Sequence, residues 1–114
     1  MNILVTFRGM EHSNTLEEFV VKKLEKVVKF LENEPLPITI DVVLIAQPQH
    51  KHHSVEMRLN SPHYHIIAKR EGPEIYAEVE EVAEIFAHDL AKAKQKRVDE
   101  LKRRTKLSEL EELD

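Results

Sequence analysis

The stretch SVEMRLNSPHYHIIAKR, residues 54–70, predicts two β-strands joined by a tight turn. Apolar and polar residues alternate on both sides of the pair Ser61-Pro62, which is typical of a hairpin turn. Alternation places one set of side chains on the core face: Val55, Met57, Leu59, Tyr64, Ile66 and Ala68. The opposite, open face is expected to carry Glu56, Arg58, Asn60, His63, His65, Ile67 and Lys69.

Outside the hairpin, the chain predicts two more strands and two helices. NILVTFR (2–8) and ITIDVVLIA (38–46) alternate or are rich in β-branched residues, as strands are. Between them, Thr15 and Glu18 have the spacing of a capping box. The apolar stripe of this first helix consists of Leu16, Val20, Leu24, Val27 and Leu31. After Gly72 and Pro73, a second helix is expected to run to about Arg104, longer than a small domain is wide.

The resulting order is βαβββα, which predicts an α+β fold. We expect a two-layer sandwich in which both helices cover one face of a four-stranded sheet. This arrangement is similar to that of double-stranded-RNA-binding domains. The length of 114 residues predicts one domain over residues 1–106, followed by an acidic and flexible tail over residues 107–114.

Composition excludes several classes of function. The chain has no cysteine, and hence no disulfide or thiolate metal site, and no apolar run approaches the roughly 20 residues of a membrane span. We therefore expect a cytoplasmic protein without a membrane partner. The net charge is −4, yet residues 92–106 hold eight Lys or Arg against Asp99 and Glu100, a local +6. This asymmetry favours a polyanion as the partner.

Five of the seven histidines cluster in the sequence: His50, His52, His53, His63 and His65. The first three are expected in the connection before the third strand, and the last two on the open face. A zinc site needs three or four converging ligands, which this spacing does not ensure. A solvated, weakly cationic strip is therefore favoured over a metal site. No nucleophile motif or glycine-rich phosphate loop is present, so we expect no enzyme activity, no cofactor and no small-molecule substrate.

Basic residues form a row on each helix. Lys22, Lys26 and Lys29 are spaced by four and three with Lys23 beside them, and His88, Lys92 and Lys96 repeat every four residues. A single such row is usually a solvated face. Two rows on antiparallel helices would border one groove, where lysines contact phosphates and RNA is recognised by shape.

Four stretches together resemble the short form of the ribosome hibernation promoting factor and ribosome-associated inhibitor family. They are ILVTFRGME (3–11), LEEFVVKKLEKVVKFL (16–31), VEMRLNSPHYHIIA (55–68) and EIYAEVEEVAEIFAHDLAKAKQK (74–96). The resemblance implies a domain that docks in the decoding region of the small ribosomal subunit. Its basic helices would lie against ribosomal RNA while its body blocks messenger and transfer RNA.

The RNA contacts that the resemblance implies are Lys23, Lys26, Lys29, His88, Lys92 and Lys96, with Lys22, Lys94 and Arg97 as neighbours. Because carboxylates repel phosphate, we expect the helix glutamates on the solvent flank: Glu78, Glu80, Glu81 and Glu84.

Two alternatives remain open. The first is an interaction or dimerisation module that uses the open sheet face, where Ile67 lies, or the end of the second helix. That helix end carries Leu101, Leu107, Leu110 and Leu113. The second alternative is a histidine metal site. Self-association is compatible with the sequence but not required.

Overall fold

The computed structural model describes residues 1–47 and 51–112. The strands are β1 (Asn2–Arg8), β2 (Thr39–Gln47), β3 (His52–Asn60) and β4 (His65–Gly72). The helices are α1 (Asn14–Lys23), α2 (Glu25–Phe30) and α3 (Ile75–Glu112). No helix in this described part of the chain is both apolar and long enough to cross a bilayer.

The four strands form one sheet in the order β1-β2-β3-β4. β1 and β2 are parallel, which the intervening α1 and α2 allow, and the other pairs are antiparallel. The register aligns Val5, Val42, Met57 and Ala68 in one row across the sheet. This row faces the helices, so the predicted α+β sandwich is confirmed.

The core lies between that sheet face and the helices. From α1 and α2 it takes the complete predicted stripe, in which Leu16 is 2% exposed and Val27 is 0% exposed. The strands and α3 contribute the remaining side chains: Ile38, Ile40, Val42, Leu44, Val55, Met57, Leu59, Tyr64, Ala68, Val79, Val82, Ala83, Phe86, Ala87 and Leu90. Every core-facing residue predicted for the hairpin is buried except Ile66, which is partly buried.

The first helix differs from its prediction at its start and in its middle. Ser13, not Thr15, is the N-cap, because its Oγ accepts a hydrogen bond of 3.2 Å from the backbone N–H of Leu16. Leu24 then separates α1 from α2. Its N–H is shared between the carbonyls of Val20 and Val21, both at 3.1 Å, so the helical path tightens for one residue and continues.

The histidine positions also differ from the prediction. His52 and His53 belong to β3, where they pair with Gln47 and Ala46, and not to a connection. His63 lies in the turn before β4 rather than on the open face, because Ser61 closes that turn. Its N–H donates to the Tyr64 carbonyl, and its Oγ accepts from the Tyr64 N–H, both at 3.0 Å. His65 lies on the open face as predicted, paired with Asn60.

α3 is longer than predicted. It begins at Ile75 and continues to Glu112, past the expected end at about Arg104, because no glycine or proline interrupts the sequence. Its 38 residues span about 57 Å, and every side chain described beyond residue 97 is exposed. The helix therefore leaves the body and extends the molecule to 69 Å. The flexibility of the acidic end stays a prediction.

Candidate RNA-binding surface

A groove of about 380 Å³ runs between the first helix pair, α1 and α2, and α3. Its floor is lined by Ala83, Ala87 and Ala91, whose small side chains leave the space of the groove open. The rim carries Lys23 and Lys26 from the first helix pair and His88 from α3. The structure therefore brings together predicted residues from both basic rows.

Lys23 is held in place at one end of this groove. Its Nζ lies 3.4 Å from Glu80 Oε1 and 5.4 Å from the centre of the Phe19 ring. Phe19 in turn contacts Tyr76 edge-on, with ring centres 5.0 Å apart. A positioned ammonium group can approach a phosphate with little further loss of side-chain entropy, but here it already has an anionic partner.

The groove also contains two carboxylates. Glu80 and Glu84 line it, so the expectation that these two glutamates lie on the solvent flank is wrong. The reason is helical spacing: Glu80, Glu84 and His88 follow each other every four residues and share one stripe. Extending the basic row backwards by the same rule would have located them.

Glu78 is not on the solvent flank either, since it is only 4% exposed. Its Oε1 accepts a hydrogen bond of 3.1 Å from the Glu74 N–H at the start of α3. A side chain on Gly72 would collide with this carboxylate, because a Cβ there would lie 2.1 Å from Oε1. Glu78 thus caps the start of α3 and packs against Gly72 at the end of β4.

Lys22 and Lys29 are both exposed but do not line the groove. Lys22 borders a separate depression on the outer side of α1, together with Glu17, Glu18 and Glu25. Neither lysine lies on the side of the first helix pair that Lys23 and Lys26 turn towards α3, so the four lysines do not share one flank.

On α3, the basic row continues beyond the groove. His88 is 77% exposed in its side chain, with Nδ1 at 3.6 Å from Asp89 Oδ1. Lys92 and Lys96 are exposed, and no ion pair involves them among the described residues. These two lysines are free to meet a ligand.

Arg97 and Lys94 face the body instead. Arg97 is half-buried near Tyr64. Burial, and then the nearby Glu34 carboxylate, raise the pKa of the Tyr64 hydroxyl, and the Arg97 charge opposes them. Lys94 Nζ donates to the Phe30 carbonyl at 2.5 Å and lies 3.9 Å from Glu34 Oε2. Lys94 thus joins the end of α2 to α3, and its ammonium group already has two oxygen partners.

The histidines do not converge. His52 Nε2 lies 3.3 Å from Glu71 Oε2, and this hydrogen bond, aided by Lys69, lowers the pKa of the Glu71 carboxyl. His65 Nδ1 is 3.0 Å from Asn60 Oδ1, and His50 lies outside the described residues. Within residues 1–47 and 51–112, no group of three potential metal ligands forms.

The open sheet face is shallow and carries both signs of charge. Arg8, Arg58 and Lys69 line it with Asp41 and Glu56. As predicted, Ile67 is exposed on the hairpin, with 59% of its surface accessible. Its five charged side chains are of mixed sign, unlike the row of His88, Lys92 and Lys96 on α3.

The structure is a two-layer α+β domain with a groove between the first helix pair and α3 and a basic row on the exposed side of α3. The family described as sigma 54 modulation protein / S30EA ribosomal protein matches residues 3–98. The chain belongs to this family of ribosome-associated proteins, which confirms the resemblance to hibernation factors. No curated protein matches the chain.

Two solved structures are similar in fold. One is the N-terminal domain of Thermus thermophilus Protein Y, with a TM-score of 0.66 and 18% identity. The similarity covers 81% of this chain and 98% of the Protein Y domain. The other is a ribosomal subunit interface protein from Coxiella burnetii, with a TM-score of 0.64 and 22% identity over 83% of this chain and 99% of its own.

Proposed function

We propose that this protein is a non-enzymatic ribosome hibernation factor. It binds the decoding region of the small ribosomal subunit through its basic helices and blocks messenger and transfer RNA sterically. The observation that carries the proposal is the groove in which Lys23, Lys26 and His88 meet, with Lys92 and Lys96 continuing the row. Family membership, and the similarity to a protein called a ribosomal subunit interface protein, support it.

The binding energy in this mechanism comes from phosphate neutralisation. Lys26, Lys29, Lys92 and Lys96 are exposed cations on the helical side. Each neutralised phosphate releases condensed counterions, which makes the affinity fall steeply as salt rises. Four contacts correspond to a slope of about −3 to −4 in a double-logarithmic plot, or a loss of about 100-fold between 50 and 200 mM salt.

Inhibition needs no chemistry in this mechanism. A rigid two-layer body that occupies the decoding region excludes other molecules by volume alone. Lys94 and Arg97 face the body, so the exposed lysines of α3 supply the contacts to RNA. Such a factor acts in the cytoplasm.

The test is a double charge reversal, Lys26→Glu with Lys92→Glu. Both residues are exposed, so the fold is expected to persist, while co-sedimentation with purified small subunits should be lost. The matched control is Arg8→Glu with Arg58→Glu on the open sheet face, which changes the net charge equally. Full binding by the helical variant, or equal loss in both variants, would refute the assigned surface.

A further inference from the structure

The part of α3 beyond residue 98 lies outside the match to the family and carries an unexplained group of cations. The family match ends at residue 98, whereas α3 continues to Glu112 without a break. Lys102, Arg103, Arg104 and Lys106 place four positive charges within five residues of this extension. All four side chains are exposed, and no ion pair involves them among the described residues.

These cations continue the basic row of the domain. With about 100° of rotation per residue, Arg103 and Lys106 lie within about 40° of Lys92 around the helix axis, and Lys102 within about 80°. Arg104 points to a different side. The row from Lys92 to Lys106 is about 21 Å long, because each residue rises about 1.5 Å.

Two acidic residues lie among these cations. Asp99 is on the same side as Lys92, and its Oδ1 accepts a hydrogen bond of 3.0 Å from Gln95 Nε2, while Glu100 lies about 80° from Lys92 around the axis. They oppose five cations on this side, namely Lys92, Lys96, Lys102, Arg103 and Lys106. The side of α3 that faces away from the body therefore keeps a clear positive excess. Such an excess on a rigid, solvent-exposed rod fits a phosphate backbone better than any neutral partner.

We propose that Lys102, Arg103 and Lys106 form a second RNA-binding element, added to the family domain by the extension of α3. The inference rests on the proposed function. The element contacts phosphates of the small subunit next to the site of the domain itself. Because both surfaces belong to one continuous helix, binding of the domain presents the extension to RNA at a high effective concentration.

A second copy of the chain is the competing occupant of this helix end. Val98 and Leu101 are 41% and 46% exposed and border the same depression as Lys102 and Lys106. Leu107 and Leu110 point to other sides of the helix, so the apolar residues described between positions 98 and 110 do not form one continuous seam. This arrangement favours RNA over helix pairing.

The experiment compares three proteins in titrations of purified small subunits at several salt concentrations. The extension variant carries Lys102→Gln, Arg103→Gln and Lys106→Gln, since glutamine retains helix propensity. The control carries Arg8→Gln, Arg58→Gln and Lys69→Gln on the open sheet face, with the same change of net charge. Circular dichroism of each protein checks that the helix content is unchanged.

We expect the extension variant to bind at least tenfold more weakly at 0.1 M salt, with a slope in log salt less steep by about 2. The control should bind like the wild type. An unchanged affinity and slope in the extension variant, or an equal loss in the control, would overturn the inference. So would sedimentation equilibrium that shows the wild type as a dimer and the extension variant as a monomer.

The two proposals fail in different ways. If Lys26→Glu with Lys92→Glu abolishes binding while the extension variant binds normally, only the second element is refuted. If the wild type does not bind small subunits at all, the proposed function fails and the inference fails with it.

Discussion

Glu80 and Glu84 place two carboxylates in the groove that is proposed to bind RNA, and replacing both with glutamine should strengthen binding. Glutamine has nearly the same shape and helix propensity, so the groove keeps its form and loses only negative charge. The exchange also frees Lys23, whose Nζ now lies 3.4 Å from Glu80 Oε1. Folding stability should change little, because this ion pair is exposed.

The expected gain follows from Coulomb's law. A carboxylate about 7 Å from a phosphate costs about 0.6 kcal/mol in water, and screening at 0.1 M salt roughly halves this. At 0.1 M salt, two carboxylates therefore oppose binding by about 0.6 kcal/mol. Freeing Lys23 from a surface ion pair adds about 0 to 1 kcal/mol. The sum of about 0.6 to 1.6 kcal/mol corresponds to a dissociation constant roughly 3- to 15-fold lower.

The assay is a titration of purified small subunits with the Glu80→Gln, Glu84→Gln protein at 0.1 M salt. The control carries Glu56→Gln and Glu71→Gln on the open sheet face. There, Glu56 forms an ion pair with Arg58, and Glu71 forms one with Lys69. It has the same net charge as the groove variant and should bind like the wild type. Equal affinities for the groove variant and the wild type would show that phosphate does not enter the groove, and an equal gain in the control would point to long-range charge alone.

Three further predictions concern stability. Lys94→Met removes the hydrogen bond to the Phe30 carbonyl, and should lower the free energy of unfolding in urea by about 1 to 3 kcal/mol. At a temperature where the variant is folded, its affinity for small subunits should remain within about twofold of wild type. Gly9→Ala should lower the free energy of unfolding by about 1 to 3 kcal/mol, because Gly9 has a φ of 70° and a Cβ would lie 2.3 Å from the Ala46 carbonyl oxygen. An unchanged midpoint of urea unfolding would refute this. Burial raises the pKa of Tyr64, so its neutral hydroxyl contributes fully to folding stability below pH 10, and this contribution is lost as the pH rises through the folded-state pKa. Tyr64→Phe should therefore flatten the fall in melting temperature above pH 10, which thermal melts at several pH values measure.

Local patterns were sufficient for most of the fold. Alternation in the hairpin and helical spacing in residues 16–31 identified the buried residues, because burial follows the periods of strand and helix. Polar segments were predicted less well. His52 and His53 extend β3 through backbone pairing with β2, which a histidine side chain does not signal. Ser13 was missed as the N-cap because a capping box two residues later had the clearer spacing.

The candidate surface was harder to predict than the core. The order of residues alone shows that cations recur every three or four residues on two helices and that positive charge gathers in residues 92–106. It could not decide which cations are free. That Lys94 binds the end of α2, that Glu80 pairs with Lys23, and that Glu78 is buried all depend on how separate helices and strands meet. Each of these contacts joins residues whose environment is set by packing, whereas periodicity along one element reports only which side of that element a residue occupies.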